Sequence, residues 1–199
     1  MDKLKKKYLF LLIIIIIGII MGFLFANILS SSDQKIVFEK ISSYFNNLKN
    51  DIMIDYGRNL FVSIKNNIIY LILIVVFGLS IIGLLFNNFI LFLKSFILGF
   101  SFGSIINIYL YRGIILGFIY VFPIMIFNIL IYAVMISRAN DFSIKLYNVL
   151  FKKKEYQFAN IIKNYFKLAG ISLILLLLSS VYETFITPFT IKLFSFLIK

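Results

Sequence analysis

The chain has 199 residues, of which 62% are hydrophobic and 14% charged, with a formal net charge of +12 and no Cys or Trp and no His. A soluble domain carries roughly 45–50% apolar and about 25% charged residues, so a soluble globule is excluded. Disulfides, thiol nucleophiles, imidazole bases and the usual zinc or haem ligand sets are excluded with it, and no cofactor is expected.

A bilayer core about 30 Å thick is crossed by about 20 apolar residues in a helix. Five such segments are read, at 8–28, 68–86, 89–111, 114–136 and 168–186. Runs such as Leu11 to Ile17 show no alternation, and backbone groups cannot go unpaired in lipid, so the spans are helices rather than barrel strands. The first follows Lys3, Lys5, Lys6 and Lys7 and is longer than a signal-peptide core, with no A-x-A site after it; it is expected to stay as an anchor. Its Gly18 and Gly22 stand four apart, the spacing that lets helix backbones approach closely.

An outer segment, 30–67, follows. Ile36, Phe38, Ile41, Tyr44 and Phe45 give it an apolar stripe at helical spacing, with Ser31 or Ser32 as a cap and Gly57 as its end. One such helix cannot bury its own stripe. It rests on the membrane, on its own bundle or on a partner protein, and Phe38, Tyr44 and Phe45 are the candidate partner-binding residues.

The joints Asn87-Asn88 and Arg112-Gly113 are so short that the second, third and fourth spans must be antiparallel neighbours. Ser95, Gly99, Gly103 and Asn107 form a small-residue and amide stripe along the third span, and Gly113 with Gly117 opens the fourth. This stripe meets either another helix of the chain or a second copy in a homo-oligomer; the intrachain neighbour is favoured. Lys94 is read about 7 Å inside its span, within reach of snorkelling to the headgroups and too far from Glu183 to meet it. Pro123 is expected to kink the fourth span, with Asn128 just beyond.

The cytoplasmic segment 137–167 reads as two short amphipathic interfacial helices around a Lys152-Lys153-Lys154 turn. In the last span Glu183 is an intramembrane carboxylate, expected to pair with Arg112 at the end of the third span, or with Asn107 or a tyrosine. Pro188 is expected to end the helix and leave an apolar tail. With the N-terminus inside, the inner segments hold 11 cations against three acids, while the outer segment holds five against four. This bias predicts N-in/C-out. The positive charge is therefore directed at membrane lipid rather than nucleic acid. Ser95 has only the adjacent Lys94 for a base, and there are no paired carboxylates or phosphate loop in the spans, so the chain does not read as an enzyme.

Gly78-Leu79-Ser80-Ile81-Ile82-Gly83, the run from Phe92 to Gly103, and Tyr182-Glu183-Thr184-Phe185-Ile186-Thr187-Pro188 resemble the stage II sporulation protein M family over nearly the whole chain. Lys94, Gly99, Gly103, Glu183 and Pro188 stand on matching motif positions. Ser95 departs from an expected glycine, and Pro123 and Asn128 are spaced more loosely than in sporulation members. The resemblance implies a non-enzymatic scaffold in a bacterial cell membrane. Such a scaffold localises peptidoglycan-degrading enzymes, the stage II sporulation proteins D and P, during engulfment. The rival reading from the residues is a small transporter or permease-like subunit, with a cavity at Glu183, Asn107 and Asn128.

Overall fold

The structure, a computed structural model, describes residues 2–49, 55–153 and 156–194; Lys154 of the expected basic turn and residues 195–199 of the expected tail lie outside them. The described residues form eight α-helices: α1 (Asp2–Ile28), α2 (Ser31–Lys49), α3 (Tyr56–Gly78), α4 (Gly83–Tyr109), α5 (Tyr111–Tyr120), α6 (Phe122–Lys152), α7 (Phe158–Val181) and α8 (Thr187–Leu193). A π-helical turn, Tyr182–Ile186, joins the last two. Five helical stretches are long and apolar enough to cross a membrane: Lys5–Ile28, Tyr56–Gly78, Gly83–Tyr109, Phe122–Lys152 and Phe158–Leu193.

The helices outrun the apolar windows that announce them. The helix of the second span begins at Tyr56, where Asp55 caps it by accepting from the Arg58 N–H at 2.9 Å. Gly57 therefore lies in the first turn of α3 instead of ending the outer helix. Residues 142–150 are not a separate interfacial helix but the end of α6, whose 31 residues reach about 46 Å at 1.5 Å per residue. Residues 158–165 likewise begin α7. A helix continues for as long as its i→i−4 bonds and neighbours hold it, whether or not each turn is apolar.

The expected joint at Asn87-Asn88 lies inside α4. The chain turns at 79–82 instead, and both asparagines face helices: Asn87 is fully buried, and Asn88 Oδ1 accepts from Asn140 Nδ2 at 3.0 Å. At the end of α3, the Val75 carbonyl accepts from the Tyr165 hydroxyl at 3.0 Å and the Gly78 carbonyl from Ser143 at 3.1 Å. These are groups a helix end leaves without intrahelical partners.

The second joint falls at Leu110, two residues before Arg112, where φ is 51°. α5 then runs back along α4. Gly113 lies against the Ile105 backbone and Gly117 against the Phe102 ring, at 2.6 Å from an ideal Cβ. The path breaks at Val121 and resumes as α6 with Pro123 in its first turn. Proline has no N–H for the Ile119 carbonyl, so the interruption follows from its chemistry.

α1 packs chiefly on α4, through the small residues of both. An ideal Cβ on Gly18 would lie 2.7 Å from Ser95 Cβ, and one on Gly103 3.0 Å from Ala26 Cβ. Gly22 abuts the Phe96 carbonyl and Gly99 the Ile19 carbonyl more closely than any side chain tolerates. Asn107 Nδ2 completes the seam by donating to the Ala26 carbonyl at 3.2 Å. These glycines are occupied within the chain. At the opposite end of the bundle from α2, Lys7 pairs with Asp141 at 2.6 Å.

Candidate functional site

Several polar residues of the spans converge on one region where α3, α4, α6 and the π turn meet. On α3, Ser63 and Asn67 are four residues apart and both buried. Ser63 Oγ donates to Glu183 Oε2 at 2.5 Å. Tyr132 of α6 donates to Asn67 Oδ1 at 2.9 Å; Asn67 Nδ2 donates to Ser180 Oγ at 2.9 Å, and Ser180 donates to the Leu176 carbonyl at 3.0 Å. This directed chain ties three helices together and uses one acceptor site of the Asn67 oxygen and one of its two amide hydrogens. In lipid each such bond matters, because helix association has no hydrophobic drive behind it.

Glu183 sits on the π turn itself. The Thr187 N–H reaches back five residues to the Tyr182 carbonyl, and the Thr184 hydroxyl donates to the Ser180 carbonyl at 2.9 Å. The wider turn carries the helix through Pro188, whose ring would clash with the carbonyl four residues earlier in a regular α-helix. Pro188 therefore does not break the helix; it is buried in the first turn of α8.

Arg112 does not take Glu183. Its Nε lies 3.2 Å from the Tyr111 hydroxyl, while the Glu183 hydrogen bond comes from Ser63, a residue expected in the outer segment. Lys94 is also placed differently from the expectation. Because α4 begins at Gly83, Lys94 is eleven residues along a 27-residue helix, near its middle. Its Nζ does not snorkel to the headgroups but lies 3.5 Å from the centre of the Tyr70 ring and 5.4 Å from that of Tyr132. A cation over a ring face gains about 2 kcal/mol when desolvated.

Lys94 and Glu183 line one cavity of about 310 Å³, with Ser63, Asn66, Asn67, Tyr70 and Asn128 among its walls. Asn107 belongs elsewhere, in the α1–α4 seam. Glu183, Ile124 and Met125 also line a second, more apolar cavity of about 490 Å³ beneath α2, where Tyr44, Phe45 and Tyr120 form its wall. Glu183 thus stands between a polar chamber in the bundle and an apolar one under the connecting helix.

The candidate partner residues on α2 separate into three situations. Phe45 is 1% exposed, its ring 5.4 Å from Tyr120 and 5.7 Å from Tyr109, so it anchors α2 to its own bundle and has no surface for a partner. Tyr44 packs on Tyr120 at 5.7 Å between ring centres; burial raises its hydroxyl above the ordinary value, against a hydrogen bond with Tyr120 that lowers it. Phe38, at 50%, remains exposed.

Hydropathy and motif spacing do not single out Ser63, Asn67, Tyr132 or Ser180. The available signal was the four-residue spacing of Ser63 and Asn67 in line with Leu71 and Ile74 on the buried face of α3; the neighbouring Lys65 and Asn66 depressed the local hydropathy and masked it.

Fold and site define a multi-pass helical membrane protein with a polar, charge-bearing centre. The family model for stage II sporulation protein M matches residues 11–188, and the chain belongs to that family. No curated protein and no solved structure matches it.

Proposed function

We propose that the chain is a non-enzymatic scaffold of a bacterial cell membrane, oriented N-in/C-out, that gathers peptidoglycan-degrading enzymes for wall remodelling in sporulation engulfment. The stage II sporulation proteins D and P are its partners in this reading. Family membership supports the sporulation setting, and the cation bias of the expected cytoplasmic segments supports the orientation. The observation that carries the reading is the seating of α2. Buried Phe45 locks the helix to the bundle, while Ile36 and Phe38, 52% and 50% exposed, stay uncovered on the same element. A rigidly held helix with an uncovered apolar edge suits a partner outside the membrane.

The test is co-purification of the D and P proteins from membranes. Ile36→Glu with Phe38→Glu abolishes capture in a protein that remains folded; capture indifferent to these changes would sink the docking role of α2. The polar chamber favours a second reading, a small transporter. That reading requires solute uptake that is lost in Glu183→Gln.

A further inference from the structure

We propose that the chamber between α3, α4, α6 and the π turn binds a small zwitterion, its anionic group toward Lys94 and its N–H donors toward Glu183 and Asn128. Ionisable groups within spans are expensive to keep, and two of opposite sign line this one cavity. They do not neutralise each other by contact: between described residues the direct ion pair is Lys7 with Asp141. Lys94 instead rests on the Tyr70 ring, and Glu183 receives the Ser63 hydroxyl on one of its two oxygens.

A third group points the same way. The amide oxygen of Asn128, another wall residue, is buried with no hydrogen-bond partner among the described residues. Such an oxygen is costly to bury unless a donor reaches it. The amide of Asn67 and the hydroxyl of Ser63 are already engaged. Among the charged groups and the orphaned buried atom of this wall, what is left to engage is one cation, a carboxylate oxygen and the Asn128 amide oxygen. A simple anion would leave the two acceptors unmet, and a simple cation would face Lys94. A molecule carrying a carboxylate or phosphate together with a primary ammonium satisfies all three. About 310 Å³ is at the small end of ligand pockets, which fits a solute of amino-acid or phosphoethanolamine size. The same chemistry is found in a free solute and in a phosphatidylethanolamine headgroup, and the adjoining apolar cavity that shares Glu183, Ile124 and Met125 offers room for an acyl chain.

The full chain, purified in detergent, is tested by equilibrium dialysis with labelled glycine and phosphoethanolamine, with inorganic phosphate and ethanolamine as single-charge probes. Retention of phosphatidylethanolamine, phosphatidylglycerol and phosphatidylcholine is read by native mass spectrometry. Saturable binding of a zwitterionic probe, absent for phosphate and ethanolamine, is expected from a free-solute site. Selective retention of phosphatidylethanolamine without solute binding assigns the headgroup. Lys94→Gln and Glu183→Gln each abolish binding, Asn128→Ala weakens it about tenfold, and Lys145→Gln, outside the chamber, leaves it unchanged. No zwitterion bound by the wild-type chain, single-charge probes bound as well as zwitterions, or binding unaltered in the charge variants would each overturn the proposal. The wild-type measurements decide it even where a variant fails to fold, and none of these readings depends on hydrolase capture.

Discussion

Ser63 and Glu183 illustrate how single residues organise this bundle. The carboxylate lies on a widened turn, one of its oxygens takes a hydroxyl hydrogen at 2.5 Å, and the donor comes from α3, 120 residues earlier in the chain. Ser63→Ala removes that donor and leaves a partly buried carboxylate without it. A loss of about 1–2 kcal/mol, the upper range for polar contacts between membrane helices, is expected in detergent unfolding curves. Leu110 shows the opposite case, a residue that works against its backbone. With φ at 51° and ψ at −130°, its Cβ is strained, and its side chain is 69% exposed, so little packing is lost with it. Leu110→Gly relieves the strain at some cost in chain entropy. A net gain of about 1 kcal/mol in the same unfolding assay is the expected outcome.

At the scale of elements, the seam between α1 and α4 holds the first span to the rest. Small residues on both helices bring backbone against backbone, so dispersion and the Asn107 bond act where apolar burial adds nothing. Gly22→Leu would force a side chain into the Phe96 carbonyl and separate the helices. The chain lacks native cysteine, so Ala26→Cys with Gly103→Cys reports the seam directly. Their Cβ positions lie 3.0 Å apart, near disulfide reach. Oxidation is expected to close the bridge in this pair and to fail when Gly22→Leu is added; bridging that persists at full yield would show the glycine is dispensable. The turn at Tyr182–Ile186 plays a different part. It lets one helical path continue through Pro188 and at the same point aims Glu183 into the bundle.

For the whole molecule, five helical paths enclose a polar centre while α2 and α8 close one end. The orientation in the membrane is tested by labelling with a cell-impermeant maleimide. Phe38→Cys reacts in intact cells, and Lys152→Cys reacts only after permeabilisation; the reverse pattern would invert the topology. Class and number of spans were legible from residues alone, since apolar runs of membrane length permit few other solutions. The small-residue stripes were legible too, because spacing by four puts them on one helix face whatever the neighbour. Which neighbour they meet, the helix ends beyond the apolar windows and the turn at 79–82 were not. Hydropathy averages over a window, whereas a helix ends where local hydrogen bonds and packing release it; thus Asn87-Asn88 looked like a joint and is buried in α4. Lys94 and Glu183 were each visible as costly charges, yet their shared cavity depends on where α4 starts and on a π turn that shifts everything after Val181. Residues 89 positions apart share a site only through the packing of the helices that carry them. The sequence by itself determined a five-span helical membrane protein with close-packing faces; the tertiary structure alone decided which polar groups meet, because that depends on helix ends and rotation about the helix axis, which no composition or period encodes.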